Sequence, residues 1–384
     1  MNNFTYDITT IIHFGIDQLK NLADMKASGS KVLLVYGGGS IKRNGLYDDV
    51  MQILSENGLQ VTELPGVEPN PRIESVRKGV ELCRENELDM VLAVGGGSCI
   101  DCAKVIAAGA CYDGDAWDLV LDGGKIEKAL PVYTVLTLAA TGSEMDRFAV
   151  ISDLEKNEKW GTAADAILPV MSVLNPEYTY SVSPKQTSAG TADIMSHTLE
   201  NYFNNVKGAY LQSRMCEAIL KTLVHYGPIA LHQPDNYEAR ANLMWASSLA
   251  INGMVSYGAG VGWCVHPMEH ELSAFYDITH GDGLAILTPF WMDHALNAET
   301  AWKFGEYGRN VFGITGDDDM EVGRQAIECT REYFKLLNLP ATLSDVGIDS
   351  THFDIMAEKA AAGCEGSFVP LSKEDIKSIF MAAL

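Results

Sequence analysis

The 384-residue chain is poor in positive charge: 28 lysines and arginines face 51 aspartates and glutamates, a formal net charge of −23 at pH 7. Such a chain is repelled by nucleic-acid phosphates and anionic membrane surfaces unless a local basic patch exists, and no basic run occurs. Neither nucleic acid nor membrane is therefore expected as a partner. No apolar run approaches the roughly 18 residues needed to span a bilayer. The N-terminus, Met1-Asn2-Asn3-Phe4-Thr5-Tyr6-Asp7, lacks the basic and apolar regions of a signal peptide, so a cytoplasmic location is expected. Cysteine offers no framework either: Cys83, Cys111, Cys216, Cys264, Cys329 and Cys364 are scattered singly. Cys99 and Cys102 form a Cys-x-x-Cys, but they sit in a glycine-to-helix turn without the second pair of a zinc ribbon. All eight read as small buried residues in a reducing compartment. There is no internal repeat, no low-complexity tract and no Gly-x-Gly-x-x-Gly fingerprint.

Histidine is also scarce, with nine in the chain, yet His197, His266, His270 and His280 fall together with Asp193 between residues 193 and 280. Asp193 and His197 are four apart, so on a helix both lie on one face, one turn apart. His266-Pro267-Met268-Glu269-His270 repeats that spacing, and His280 follows beside Gly281 and Gly283. A single Asp-to-His pair is commonly a surface ion pair. One carboxylate with two or three imidazoles in an apolar stretch instead suggests a divalent transition-metal site.

The second strong feature is a repeated strand-to-glycine turn. Lys31 to Tyr36 is a short β-branched run ending in Gly37-Gly38-Gly39-Ser40, and Asp89 to Val94 ends in Gly95-Gly96-Gly97-Ser98. After Ser98 the sequence reads as a helix, whose free N–H groups and positive dipole end would face whatever lies over the glycines. That makes a seat for phosphate, where a β-carbon would hold a diphosphate away and where glycine gives access to positive φ. In an NAD-selective pocket an acidic residue near the first strand end accepts from the ribose 2′-hydroxyl. Here glycines and Ser40 stand there, followed by Lys42 and Arg43, so NADPH is the expected coenzyme.

With 47% hydrophobic residues and this length, two domains are expected. Before residue 180, β-rich runs at 31–36, 59–63, 89–94, 131–138, 147–152 and 170–174 alternate with helical patterns, which predicts a largely parallel α/β sheet. After it, helical periodicity dominates, and the proline-containing stretch 174–186 is the natural junction. The domains are thus 1–180, α/β and dinucleotide-binding, and 181–384, all-helical and metal-binding.

Taken together, Tyr36-Gly37-Gly38-Gly39-Ser40, Glu68-Pro69-Asn70-Pro71, Gly95-Gly96-Gly97-Ser98-x-x-Asp101, Leu136-Thr137-Leu138-Ala139-Ala140-Thr141-Gly142-Ser143-Glu144 and the Asp/His set resemble the iron-containing (group III) alcohol dehydrogenases. The likeness covers essentially the whole chain and is greatest to the NADPH-dependent butanol dehydrogenase and broad aldehyde reductase branch. It implies a Rossmann-like sheet domain followed by a helical domain, with coenzyme in the cleft between them, and a homodimer or higher homo-oligomer. By the same resemblance Asp193, His197, His266 and His280 are the metal ligands and His270 is a proton carrier. Gly38, Gly39 and Ser40 would face the adenosine ribose with Asn70 near it, and Gly96, Gly97 and Ser98 would hold the diphosphate. Thr137, Leu138, Thr141 and Lys159 fall at coenzyme-contacting positions, although Lys159 lies in a polar stretch where a solvated lysine is the ordinary case. The implied reaction is hydride transfer between NADPH and a small aldehyde such as butanal. Three nitrogens and one carboxylate oxygen suit Fe²⁺, Zn²⁺, Ni²⁺ or Co²⁺, and only the resemblance favours iron.

One departure is Met145-Asp146-Arg147-Phe148 after the Thr-Gly-Ser-Glu motif. Arg147 could bind an anionic aldehyde, or it could pair internally with Asp146 or Glu144. The rival readings are a dehydroquinate synthase-like enzyme or polyol dehydrogenase of the same architecture, and a non-catalytic NADP- and metal-binding sensor. A synthase handling a phosphorylated, carboxylated substrate would need several basic residues near the metal, and residues 240–285 contain only Arg240.

Overall fold

The computed structural model describes residues 1–384. Its strands are β1 (Ile11–Phe14), β2 (Lys31–Tyr36), β3 (Gln60–Leu64), β4 (Met90–Gly95), β5 (Val132–Leu136), β6 (Phe148–Asp153), β7 (Glu158–Ala163) and β8 (Met171–Leu174). Its helices are α1 (Ser40–Arg43), α2 (Leu46–Glu56), α3 (Ile73–Glu85), α4 (Gly97–Gly109), α5 (Ala116–Leu121), α6 (Pro184–Tyr202), α7 (Tyr210–His232), α8 (Tyr237–Ile251), α9 (Val265–Tyr276), α10 (His280–Ala295), α11 (Ala301–Tyr307), α12 (Asp319–Leu336), α13 (Phe353–Cys364) and α14 (Lys373–Ala382). No helix is long and apolar enough to cross a membrane.

Six strands form one parallel sheet in the order β1-β8-β5-β4-β2-β3. Its central strands read as unbroken apolar runs because both faces are buried. Leu33, Val35, Val91 and Ala93 enter one core, and Val32, Leu34, Leu92 and Val94 the other. The expected strands at 31–36, 59–63, 89–94, 131–138 and 170–174 fall on β2, β3, β4, β5 and β8. The run at 147–152 is a strand, β6, but outside the sheet: it pairs antiparallel with β7, which the polar sequence Glu158-Lys159-Trp160 concealed. Edge strand β1, of 4 residues, was too short to announce itself.

The chain forms two compact units, one of Asp7–Val182 with Pro234–Ser248, the other of Met1–Tyr6 with Ser183–Gln233 and Leu249–Leu384. The division is not a single cut at residue 180. Most of α8 groups with the sheet, because Met244 is buried in its core. The first residues group with the helices, held by hydrogen bonds from the Met1 ammonium to Lys207 O and from Asn2 N to Gly258 O, both 2.8 Å.

Asp193 and His197 stand on α6. Ser183 caps it, accepting from Gln186 N at 3.2 Å, and Pro184 supplies the pre-set φ of the first turn. Although rich in polar residues, α6 is buried from Thr187 to Tyr202. Thr191 and Thr198 satisfy their hydroxyls on carbonyls one turn back, at 2.8 Å each, which lets a polar helix stand in a core.

Candidate active site

The glycine loops follow the C-terminal ends of β2 and β4. These neighbouring strands flank the point where the chain order reverses, since β3 lies outward of β2 on one side and β4 lies on the other. Ligands of open parallel sheets bind at such a point. Gly39 has φ +93°, a conformation that needs glycine, and opens α1. Around Gly38 an added Cβ would meet nothing within 4 Å, so the protein itself does not require glycine there. At the second loop the fit is tight: a Cβ on Gly97 would lie 2.3 Å from Thr141 Oγ1, and one on Gly96 3.3 Å from Leu138 Cβ. Thr137 N bonds Gly95 O at 3.0 Å. Gly37–Ser40, Gly95–Ser98 and Thr137–Thr141 thus gather at three adjacent strand ends, and the N-terminus of the 13-residue helix α4 leaves its first amides free there.

Cys99 packs against this turn, its Sγ 2.5 Å from where a Gly95 Cβ would be. Burial pushes its thiol up to about 12 and that of Cys102 well above the ordinary value, so both are inert fillers.

Lys42 is engaged within the protein. Its Nζ lies 4.9 Å from the Tyr36 ring centroid, 4.3 Å from that of Tyr47 and 3.8 Å from Glu63. Both tyrosine hydroxyls donate to Glu63, at 2.5 and 3.0 Å. Arg43 stays beside the loop, Nη1 3.9 Å from the Cβ position of Gly39.

In the helical unit, α6 supplies Asp193 and His197, α9 supplies His266 and His270, and α10 begins at His280. The turn between α9 and α10 is tight: Asp277 takes φ +50° and ends α9. Gly281 then lies so close to α6 that an added Cβ would be 2.0 Å from Ala189 O. Asp193 Oδ1 stands 3.6 Å from His197 Nε2, 3.6 Å from His266 Nε2 and 3.7 Å from His280 Nε2. These separations are too long for hydrogen bonds. The donor atoms of Asp193, His266 and His280 all lie within 4.8 Å of one another, which suits donors around one ion, since two atoms about 2.1 Å from a tetrahedral centre lie about 3.4 Å apart. His197 is not in that set of three, although its Nε2 reaches Asp193. Asp193 Oδ1 and His266 Nε2 are buried without a hydrogen-bond partner, so their polar atoms fit a bound cation. His270 is not among the donors gathered with Asp193, but it forms a second set with Glu269 and His280, whose donor atoms also lie within 4.8 Å of one another. Its ring centroid is 6.3 Å from that of His266 and 5.8 Å from that of His280.

Electrostatics divide the cluster. Burial by itself would raise Asp193, but the imidazoles of His197, His266 and His280 hold it well below the ordinary carboxylate range. Burial brings His197 down to about 4 against the pull of Asp193. In His266 the Glu200 and Asp193 carboxylates outweigh burial and raise the ring to about 9.

Residues 9–176 match the family model for iron-containing alcohol dehydrogenase, and residues 187–384 match the C-terminal model of the Fe-containing alcohol dehydrogenase family. The chain belongs to the iron-containing alcohol dehydrogenases. It is 56% identical to NADH-dependent butanol dehydrogenase A of Clostridium acetobutylicum, covering 99% of both chains. It is 40% identical to the NADPH-dependent aldehyde reductase YqhD of Escherichia coli over 94% of this chain and 93% of that one. A solved structure of NADH-dependent butanol dehydrogenase A from Thermotoga maritima superposes with a TM-score of 0.95 at 36% identity, covering 100% of this chain and 99% of the other.

Two residues of this alcohol dehydrogenase depart from their sequence expectations. Lys159 lies not in a solvated loop but on β7 opposite Ser152, buried. Arg147 pairs with neither Asp146 nor Glu144; it donates to Asp165 and, at 2.9 Å, to Asp7 O. Asp146 instead holds the fully buried Lys104 at 2.8 Å, and Glu144 accepts from Ser248. Asn70, half-buried, takes φ +51° in the turn before α3. Two site residues were missed altogether. Glu200 accepts from His266 Nδ1 and Glu269 from His280 Nδ1. The available signal was spacing: Glu200 is seven residues from Asp193 and shares its helix face, and Glu269 lies inside the His266–His270 segment.

Proposed function

We propose that this oxidoreductase is a divalent-metal-dependent enzyme transferring hydride between NADPH and a small uncharged aliphatic aldehyde such as butanal. The observation that carries the reading is the convergence of His197, His266 and His280 Nε2 on Asp193 Oδ1 at 3.6–3.7 Å. In it, Asp193, His197, His266 and His280 hold the ion, with Fe²⁺ favoured by the family. When bound, the ion polarises the carbonyl oxygen and the nicotinamide supplies or takes the hydride. The coenzyme belongs to the sheet unit: Gly37, Gly38, Gly39 and Ser40 face its ribose with Asn70, and Gly95, Gly96, Gly97 and Ser98 seat its diphosphate. Thr137, Leu138, Thr141 and Lys159 complete that surface, and the ion belongs to the helical unit.

His270 carries the proton in this reading. It is a half-buried imidazole one turn along α9 from His266, outside the Asp193 group, and an imidazole's ordinary pKa near 6.5 suits proton transfer at neutral pH. Trp263, edge-on to His197 and His266 with centroids 5.9 and 5.0 Å away, offers an apolar wall for an alkyl chain. Arg147, already held by Asp165 and Asp7, is not available for an anionic substrate. The relatives' names support both the alcohol and the aldehyde side of the chemistry, and carry both coenzymes. What favours NADPH is the loop after β2, which presents glycine amides, the Ser40 hydroxyl and Arg43 where an NAD-selective site presents a carboxylate.

The test is oxidation of NADPH and NADH with butanal by chelator-stripped protein reloaded with Fe²⁺ or Zn²⁺. Metal-dependent turnover, faster with NADPH, is expected. Absence of turnover with either metal and either coenzyme would overturn the proposal.

A further inference from the structure

We propose that Glu200 and Glu269 are positioning residues which fix the tautomer and ring orientation of His266 and His280, so that both turn Nε2 toward Asp193. The inference rests on the metal-site reading above and deepens it. A carboxylate can only accept, so hydrogen bonds from His266 to Glu200 and from His280 to Glu269 require the proton on Nδ1. With Nδ1–H fixed in this way, Nε2 is the nitrogen whose lone pair would face a cation, any proton there being displaced on metal binding. Those two Nε2 atoms lie 3.6 and 3.7 Å from Asp193 Oδ1. The third imidazole has no such partner, because His197 Nδ1 is buried and makes no hydrogen bond.

Burial makes the arrangement costly to maintain without a purpose. Glu200 and Glu269 are 1% and 0% exposed, and isolated buried carboxylates are strongly disfavoured. Glu200 pairs with no lysine or arginine. Its Oε1 instead takes the amides of Cys264, Val265 and His266 at 2.7, 2.6 and 3.3 Å, so it also caps α9. Glu269 accepts from Ser273 on Oε1 and from His280 on Oε2. Room for it is made by Gly283, where an added Cβ would lie 2.8 Å from Glu269 Cγ. One carboxylate therefore sets a helix start and a ring together, and the other sets a ring.

Glu269→Gln is the decisive variant, since it keeps the shape and removes the charge. Zn²⁺ affinity of the full-length protein, measured by competition with a chromophoric chelator, should fall on the order of 10–100-fold in Glu269→Gln. Metal-free melting should stay within a few degrees of wild type, and the visible spectrum of the Co²⁺-substituted protein should change. Glu200→Gln should weaken Zn²⁺ at least as much and also lower metal-free stability through loss of its cap. Wild-type Zn²⁺ affinity and an unaltered Co²⁺ spectrum in Glu269→Gln would overturn the inference while leaving the metal site standing. A wild type that binds no stoichiometric Zn²⁺ or Co²⁺ would overturn both.

Discussion

Oδ1 of Asp193 lies 3.6 Å from Nε2 of His197, one turn along α6, and makes no hydrogen bond to it. Both groups are buried, the carboxylate held ionised by the surrounding imidazoles and the His197 ring held neutral by burial. An anionic oxygen and a neutral imidazole facing one another across that gap are the kind of donors a divalent cation takes, as the proposed function requires. The chemistry assigned to the helical unit grows from this pair.

Because His270 stands outside the Asp193 group, His270→Asn should retain metal while losing rate, on the order of 10²–10⁴-fold if general acid catalysis is removed entirely. Its profile of kcat against pH should change shape. A near-native rate with an unaltered profile would leave His270 only a structural role.

Under the proposed function, coenzyme choice depends on the loop after β2. Gly39→Asp should shift kcat/KM from NADPH toward NADH by about ten- to a hundredfold, because the new carboxylate repels a 2′-phosphate. Gly39 has positive φ, so the variant's melting temperature must be measured alongside. Lys42→Ala should shift preference less, its ammonium already being spent on Glu63 and two tyrosines. A wild type favouring NADH would refute the loop reading.

Much of this was legible in the sequence. Apolar runs ending in glycine gave the central strands, because burial on both faces leaves no polar alternation to confuse. Four-residue spacings put Asp193 with His197 and His266 with His270. Which histidine leaves the group could not be read locally, since His266 and His280 meet Asp193 only through packing of three helices. Glu200 and Glu269 escaped notice because a carboxylate beside a histidine looks the same in sequence whether solvated or buried.

Burial pushes Glu144 up to about 7, from an ordinary value of 4.5. A carboxyl with a raised folded pKa holds an extra proton in the folded state between those values, so its contribution to stability falls as pH rises from about 4.5 to about 7. Glu144→Gln cannot titrate. Its melting temperature relative to wild type should therefore climb by a few degrees between pH 5 and pH 8. Parallel curves would contradict the assignment.

Gly281→Ala should destabilise by about 3 kcal/mol or more, beyond ordinary overpacking. The added Cβ would lie 2.0 Å from the Ala189 carbonyl oxygen, which belongs to backbone and cannot turn aside. Gly38→Ala, with nothing within 4 Å, should leave melting unchanged and weaken coenzyme binding instead. Thermal denaturation of the two variants side by side separates these effects.

The central claim is that Asp193, His197, His266 and His280 together hold a catalytic ion, and metal content of His280→Ala tests it most directly. After equilibrium dialysis against Fe²⁺ or Zn²⁺, wild type should retain one ion per chain. The variant should retain far less and turn over no butanal, while still binding NADPH through loops in the other compact unit. Full metal occupancy in His280→Ala would contradict the account.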